Sequence, residues 1–484
     1  MHTFSRRWAL TVTVLCCLST AIPPAVAGGS GAEIGTRGGE AAGVGPAGQP
    51  APDDPCVGTV TEPANGTTVV SVQGMRFGSE GGKRPAKLVG VGPRGEIRWV
   101  HQSAEELDAV WGYDVDPMAN GHVFVTATVR GHETVVYEFD PAAQQRVWTE
   151  RFDLADTHDA DLIEGGEEIL VANMRNYNET TDENEDRIFV YNRTTEEIEW
   201  EWHFDDHYDR DDVAENYTDD WTHVNDVDEV GEGLYLASPR NFDQAIVVNR
   251  STGEIELKLG ADQNHDVLDE QHNPDYLESE NGTPTLLVGD SENDRIVEYA
   301  NRGRDPTDGD GWTRTWSLTG DLNWPRDADR LADGDTLVTD SASHRVAEVT
   351  PEGEVVWEFY APWLIYDAAR LSQTNESGGP TMADLNATGA REIDGGEGRH
   401  ENASALEACH RRLENVTGWA EDQTPTETDA RTTESALDEA DADARTAESE
   451  TEGATSSVPG FGPVAALSGV ATALALAVGR RRGR

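Results

Sequence analysis

The sequence predicts an all-β chain folded as a six-bladed β-propeller, and two observations carry that expectation. Six short strands of one kind close six units: Gly95-Glu96-Ile97-Arg98-Trp99, Arg146-Val147-Trp148, Glu197-Ile198-Glu199-Trp200, Gly253-Glu254-Ile255, Arg314-Thr315-Trp316 and Gly353-Glu354-Val355-Val356-Trp357. The units open with Asp-x-Asp or a close variant, followed by a Gly-containing turn and an apolar strand. A period of about 40 to 65 residues with several short strands per unit is the mark of propeller blades. A β-sandwich is the alternative, and it leaves the repetition unexplained.

Each opening is legible in turn. Asp114-Val115-Asp116 leads through Gly121 to Val123-Phe124-Val125, and Asp159-Ala160-Asp161 through Gly166 to Ile169-Leu170-Val171. Asp226-Val227-Asp228 leads through Gly233 to Leu234-Tyr235-Leu236. Pro274-Asp275-Tyr276 precedes Leu286-Leu287-Val288, and Asp327-Ala328-Asp329 leads through Gly334 to Thr336-Leu337-Val338. The first unit, around 67–105, shows no such opening, so its inner strand is not assigned. The stretch 205–220 lengthens the third interval and reads as an acidic loop. Residues 57–366 form the expected propeller, and the repeat ends at Tyr366. Within 367–419, Ser404 and Glu407 make a capping box ahead of a short helix at 406–413 that carries Cys409.

Asp plus Glu number 92 against 37 Lys plus Arg, a formal charge of -55, which excludes generic binding to nucleic-acid backbones. With 13 Trp and many β-branched runs the chain is not a disordered polyanion; the acids read as a salt-adapted surface of the kind extreme halophiles carry. Residues 1–27 have Arg6-Arg7, an apolar run at 8–22 and Ala25-Val26-Ala27, the order of a secretory signal. Ser5-Arg6-Arg7-Trp8 also fits the twin-arginine pattern, so the general and twin-arginine routes both stay open. Residues 28–56 form a Gly/Ala/Pro-rich lead-in.

At the other end, an acidic Thr-rich stalk at 420–458 precedes Pro459-Gly460-Phe461, an apolar run and Arg480-Arg481-Arg482. The segment 459–484 resembles the archaeal surface-sorting signal named for Pro-Gly-Phe, which implies a lipid anchor; a retained transmembrane anchor is the other reading. Either fixes the body to the outside of the cell, and the source expected is a halophilic archaeon. Ten Asn-x-Ser/Thr sites, Asn65, Asn178 and Asn415 among them, suit a surface glycoprotein. Loss of the signal removes Cys16 and Cys17, leaving Cys56 and Cys409 as one candidate disulfide in an oxidising compartment and too few thiols for a Cys-rich zinc site.

The chemistry resides in a histidine expected at one register of the repeat, at the start of a unit's inner strand: His158 in Thr157-His158-Asp159, His223 in His223-Val224-Asn225 and His272 in Gln271-His272-Asn273. Inner strands of a propeller face one axis, so residues far apart in sequence converge there. Asn225 lies two residues after His223 on the same strand face, and Arg240, after the next strand, returns toward it. His, Asn and Arg together suit an anion such as sulfate, phosphate or carboxylate. The Asp-x-Asp pairs read as fold-stabilising acceptors of turn amides.

The ordered set His158-Asp159, His223-Val224-Asn225, Arg240 and Gln271-His272 resembles the PAPS-independent arylsulfate sulfotransferase family over about residues 60–366. That resemblance implies a sulfuryl group passing from an aryl sulfate to a phenol through a sulfohistidine. It assigns His272 as nucleophile, with His265 as competitor for that role, His158 as a proton-transfer residue, and His223, Asn225 and Arg240 as holders of the sulfuryl oxygens. It implies no PAPS, no other cofactor and no metal. The family's bacterial members carry an extra N-terminal strand domain, for which the lead-in leaves no room, so oligomeric state is open. The alternatives are a non-enzymatic surface propeller binding a glycan, a partner or calcium, for which the string at 305–311 is a weak signal, and a quinone-cofactor dehydrogenase. Six units rather than eight, and no adjacent cysteines in the mature chain, argue against the dehydrogenase.

Overall fold

The computed structural model describes residues 54–419, apart from 77–85, 104–106, 130–132, 212, 219, 304–305, 308–310 and 374–376. The expected signal, nearly all of the lead-in, the stalk, the Pro-Gly-Phe segment and most of the 305–311 string lie outside the described residues. Among the described residues no helix is long and apolar enough to cross a membrane.

Six antiparallel blades of four core strands surround one axis. Blade 2 runs Ala109–Pro117, Val123–Val129, Glu133–Asp140 and Gln145–Phe152 from axis to rim, and blade 3 runs Ala160–Ile163, Glu168–Asn173, Arg187–Asn192 and Glu197–His203. Blade 4 comprises Val224–Gly231, Leu234–Pro239, Gln244–Asn249 and Ile255–Gly260; blade 5 comprises His272–Glu278, Pro284–Asp290, Arg295–Asn301 and Trp312–Thr319. Blade 6 comprises Pro325–Arg330, Thr336–Asp340, Arg345–Val349 and Val355–Tyr360. The six closing sequences fall on the rim strands. Apolar side chains between blades make the core: Ile163, Leu170 and Trp202 of blade 3 pack on Val227, Tyr235 and Ile246 of blade 4.

The missing inner strand of blade 1 comes from the far end of the repeat. Trp363–Arg370 pairs with Thr68–Arg76, which pairs with Lys87–Val91 and then Ile97–His101. This strand runs past Tyr366, where the repeat was expected to end, and Asp367 supplies the opening aspartate that the first unit lacks. In exchange, Val57–Val60 adds to the rim of blade 6, and Gly389–Glu392 adds in parallel to blade 5. The ring is thus closed by Trp363–Arg370 completing blade 1 beside the strand Thr68–Arg76 from the start of the propeller.

The C-terminal helix spans Ala403–Leu413, and its cap is Asn402 rather than Ser404. Asn402 Oδ1 accepts from the amides of Ser404 and Ala405, because an Asn in extended conformation at that position satisfies the first free N–H groups. Leu406, Cys409 and Leu413 face the core beside Trp357 and Trp363. Cys56 and Cys409 are joined there, Sγ–Sγ 2.10 Å, pinning the start of the propeller to the helix.

Candidate active site

Five of the six inner strands contain one extra residue relative to their neighbour. The register slips between Gly112 and Val115, Val224 and Val227, His272 and Asp275, Pro325 and Asp327, and around Tyr366. A bulge re-aims a side chain and recurs beside functional sites. Here the residue just before each ring aspartate falls in it: Tyr113, Asn225, Pro274, Arg326 and Tyr366, with His158 in the same sequence position in blade 3. Tyr366, of blade 1, shows where these residues meet. Its hydroxyl donates to the Asn225 carbonyl at 3.3 Å and lies 3.4 Å from His158 Nδ1. Its ring lies 5.1 Å from Tyr113, 6.3 Å from His272 and 5.1 Å from the Arg326 guanidinium. One phenol on blade 1 therefore reaches all five other blades, which places it on the axis.

The predicted residues converge on it. The rings of His158 and His223 are 5.0 Å apart, and both, with His272, Asn225 and Arg240, are buried. The three histidines do not share one register: His223 and His272 stand three residues before their ring aspartates, His158 only one. They meet because the bulges offset the strands. His223 (φ 41°) and Asn273 (φ 38°) hold left-handed backbone at the strand entrances, a cost seen at functional sites. His265 is elsewhere, on a half-exposed loop between Asp243 and Asp269, so the structure separates it from the cluster that holds His272.

Two arginines that the sequence reading missed complete the cluster. Arg175 follows the second strand of blade 3 as Arg240 follows that of blade 4, each ahead of an asparagine; aligning Arg175-Asn176 with Arg240-Asn241 is the signal that would have found it. Arg175 lies 3.4 Å from Asp156 and from Asp220, and Arg240 pairs with Glu270 at 3.1 Å. Arg326 stacks on Trp324 at 3.9 Å and donates to Gln73 Oε1 at 2.7 Å. The 205–220 insertion is more than an acidic loop. Tyr208 packs against Phe242, and Asp220 holds His223 Nδ1 at 3.0 Å.

Electrostatics follow from this packing. Burial, reinforced by the cations Arg326 and Arg240, holds His272 well below the usual histidine range. Burial and the neighbouring His223 do the same to His158, so both are neutral imidazoles at pH 7. Burial would raise Asp220, but His223 and Arg175 outweigh it and hold the carboxyl below its ordinary value. His223 Nε2 and Asn225 Oδ1 are buried with no hydrogen-bond partner among the described residues. One Nδ2 hydrogen of Asn225 is engaged by the Gln271 carbonyl at 3.0 Å, leaving the other. The second Nδ2 hydrogen of Asn225 and the arginines are the donors of this cluster, whereas Asn225 Oδ1 can only accept.

Below the histidines lies a ring of aspartates. Asp367 accepts from the Val115 amide at 2.8 Å, Asp159 from Val227 at 2.6 Å and Asp161 from Glu229 at 2.8 Å, stitching blades together. Asp114 also hydrogen-bonds Asp159 and Asp367, and Asp367 hydrogen-bonds Asp327. Two carboxylates have no proton between them, so these pairs share one. Burial pushes Asp159 and Asp275 up to about 7. At the far mouth of the channel is a cavity of about 1190 Å³ lined by Asp116, Asp161 and Asp228. Its lining contains none of the cluster's histidines and neither Arg175, Arg240 nor Arg326.

The chain is an all-β six-bladed propeller with histidines and arginines buried together near its axis. The sequence model of the arylsulfotransferase (ASST) family matches residues 73–287, a span that includes His158, His223, Asn225, Arg240 and His272. No curated protein matches the chain. Among solved structures, a protein of unknown function from Bacteroides caccae is 13% identical, covering 63% of this chain and 98% of its own, with TM-score 0.41. A putative 6-phosphogluconolactonase from Bacteroides fragilis is 11% identical, covering 63% and 99%, with TM-score 0.39. Virginiamycin B lyase from Staphylococcus aureus is 12% identical, covering 54% and 72%, with TM-score 0.33.

Proposed function

We propose that the protein is an arylsulfotransferase-like enzyme that moves a sulfuryl group from an aryl sulfate to a phenol through a sulfohistidine at His272. The observation that carries this is a buried, neutral His272 in one cluster with His158, His223, Arg240 and Arg326, whose charges act on it. The lone pair of the imidazole forms the N–S bond as the S–O(aryl) bond breaks, and the bonding pair leaves on the phenolate. In the second half the acceptor phenol oxygen attacks sulfur, and the pair returns to His272. His158, a neutral imidazole beside the Tyr366 hydroxyl, is placed to take the proton that the acceptor phenol loses as it attacks and to pass it to solvent, while the donor's aryl group leaves as the phenolate. Sulfuryl transfer, like phosphoryl transfer, depends on position and on neutralising equatorial oxygens. His223, Asn225 and Arg240 supply that here, and no step calls for PAPS, another cofactor or a metal.

The match to the ASST family and the geometry support this reading, and the disulfide supports an oxidising compartment. Together with the sequence of both ends, they support an exported, surface-anchored protein. The test is release of p-nitrophenolate from p-nitrophenyl sulfate with a phenol acceptor in molar salt. Wild type should turn over, His272→Ala should not, and absence of release across a panel of aryl sulfates refutes the assignment.

A further inference from the structure

We propose that Ser291 is a positioning residue that fixes His272 as its Nδ1–H tautomer, so that Nε2 is the atom that attacks sulfur. This rests on the reading of His272 as nucleophile and deepens it. His272 Nδ1 is 2.8 Å from Ser291 Oγ, and Ser291 Oγ is 2.9 Å from the carbonyl oxygen of Pro325. A carbonyl only accepts and a serine hydroxyl has one proton. That proton goes to Pro325, since otherwise two oxygens would face each other at 2.9 Å with no hydrogen between them. Ser291 must then accept from His272, and Nδ1 carries the hydrogen. Ser291 is fully buried, so water does not compete for either bond. Among the described residues nothing hydrogen-bonds Nε2 of His272, whose ring is also set by Trp324 at 5.8 Å.

The fold delivers this contact from two blades. Ser291 opens the 3-10 turn Ser291–Asn293 after the second strand of blade 5, the slot that Arg240 fills in blade 4. Pro325 begins blade 6. The two come together because Gly289 has no side chain: a Cβ there would stand 2.9 Å from the backbone carbonyl of Arg326. As Nε2 gives its lone pair to sulfur and the S–O(aryl) pair departs with the aryl oxygen, the ring gains positive charge shared with Nδ1–H. The Ser291 lone pair is aimed at that hydrogen. When the acceptor takes the sulfuryl group, the pair returns to Nε2 and the same tautomer is restored with no proton moved at Nδ1.

The test uses the full chain with ¹⁵N-labelled histidine rings, the His272 signals being identified by their loss in His272→Gln. Wild type should show a protonated Nδ1 and an unprotonated Nε2. Ser291→Ala should shift the population toward Nε2–H and slow the first release of p-nitrophenolate on the order of 10- to 100-fold, with donor KM changed less than about twofold. Ser291→Thr should restore both tautomer and rate. An Nε2–H tautomer in wild type, or an alanine variant unchanged in tautomer and rate, overturns the proposal. If the alanine variant fails to fold, the wild-type spectrum and Ser291→Thr decide it. The spectrum needs no turnover, so a wild type that shows Nδ1–H but releases no phenolate refutes the enzymatic reading alone.

Discussion

Asp159→Asn tests whether the aspartate ring is held together by protons. Burial pushes Asp159 up to about 7 despite the Val227 amide, with Asp161 adding to the rise. In the unfolded chain the group titrates near about 3.9. With the folded pKa above the unfolded one, protonation stabilises the fold fully below about pH 4, and that contribution is lost as pH rises through about 7. A gap of about 3 units at about 1.4 kcal/mol each gives a ceiling near 4 kcal/mol. Sharing of the proton with Asp114 reduces this, and about 2 kcal/mol is expected. Asparagine keeps the stitch, since Oδ1 can accept from Val227 while Nδ2 donates to Asp114, and it does not ionise. Thermal melts in constant molar salt should therefore show Asp159→Asn raising Tm by about 2–5 °C at pH 8 relative to wild type. At pH 3.5 there should be no gain, and the histidine contributions cancel in the comparison. An equal loss of stability at both pH values would mean that the carboxylate is charged and needed as such, refuting the shared-proton ring.

Arg240→Lys should lower kcat/KM for aryl sulfate by at least about tenfold, since an ammonium replaces the planar fork; unchanged kinetics would place Arg240 outside the anion site. Replacing Cys56 and Cys409 together with serine should cost about 2–5 kcal/mol of stability, because the bond closes nearly the whole propeller. Its effect on kcat at 25 °C should be small, as read by melting curves and by the same phenolate assay.

Much of this fold was legible because each blade repeats its own local signals. Trp-bearing rim strands and aspartate openings are set by contacts between neighbouring strands, and these show in sequence. The inner strand of blade 1 was not legible because Trp363–Arg370 is selected by ring closure, a contact spanning the whole repeat. His158, His223, Asn225, Arg240 and His272 were named from residue type, order and the family resemblance, and the fold brings them into one buried cluster. Arg326 and Tyr366 were missed because their aim depends on a bulge, and a one-residue slip leaves no mark on hydrophobic alternation. Tyr366 in particular reads as an ordinary strand aromatic until the extra residue turns it toward the axis. Ser291 was missed for another reason: its role lies in the direction of one proton, which the Pro325 carbonyl of a different blade decides.

The proposed anion site lies inside a chain of charge -55, which raises a question of range. At about 0.1 M salt the Debye length is about 10 Å, and an acidic surface repels an aryl sulfate before it arrives. At about 1 M that length falls to about 3 Å, so the acids on the outside no longer act on the approaching anion. Screening of this kind does not reach Arg175, Arg240 and Arg326, which are buried. Their hydrogen bonds, and those of His223 and Asn225, work at contact distance, where salt has little to screen. The same composition that excludes polyanions as partners is thus compatible with sulfate chemistry, provided that attraction is short-ranged and enclosed. The fold meets that condition by turning its bulged inner-strand residues toward an axis from which the surface acids are remote, while the acids that do touch the cluster, Asp156, Asp220 and Glu270, are paired with Arg175, His223 and Arg240.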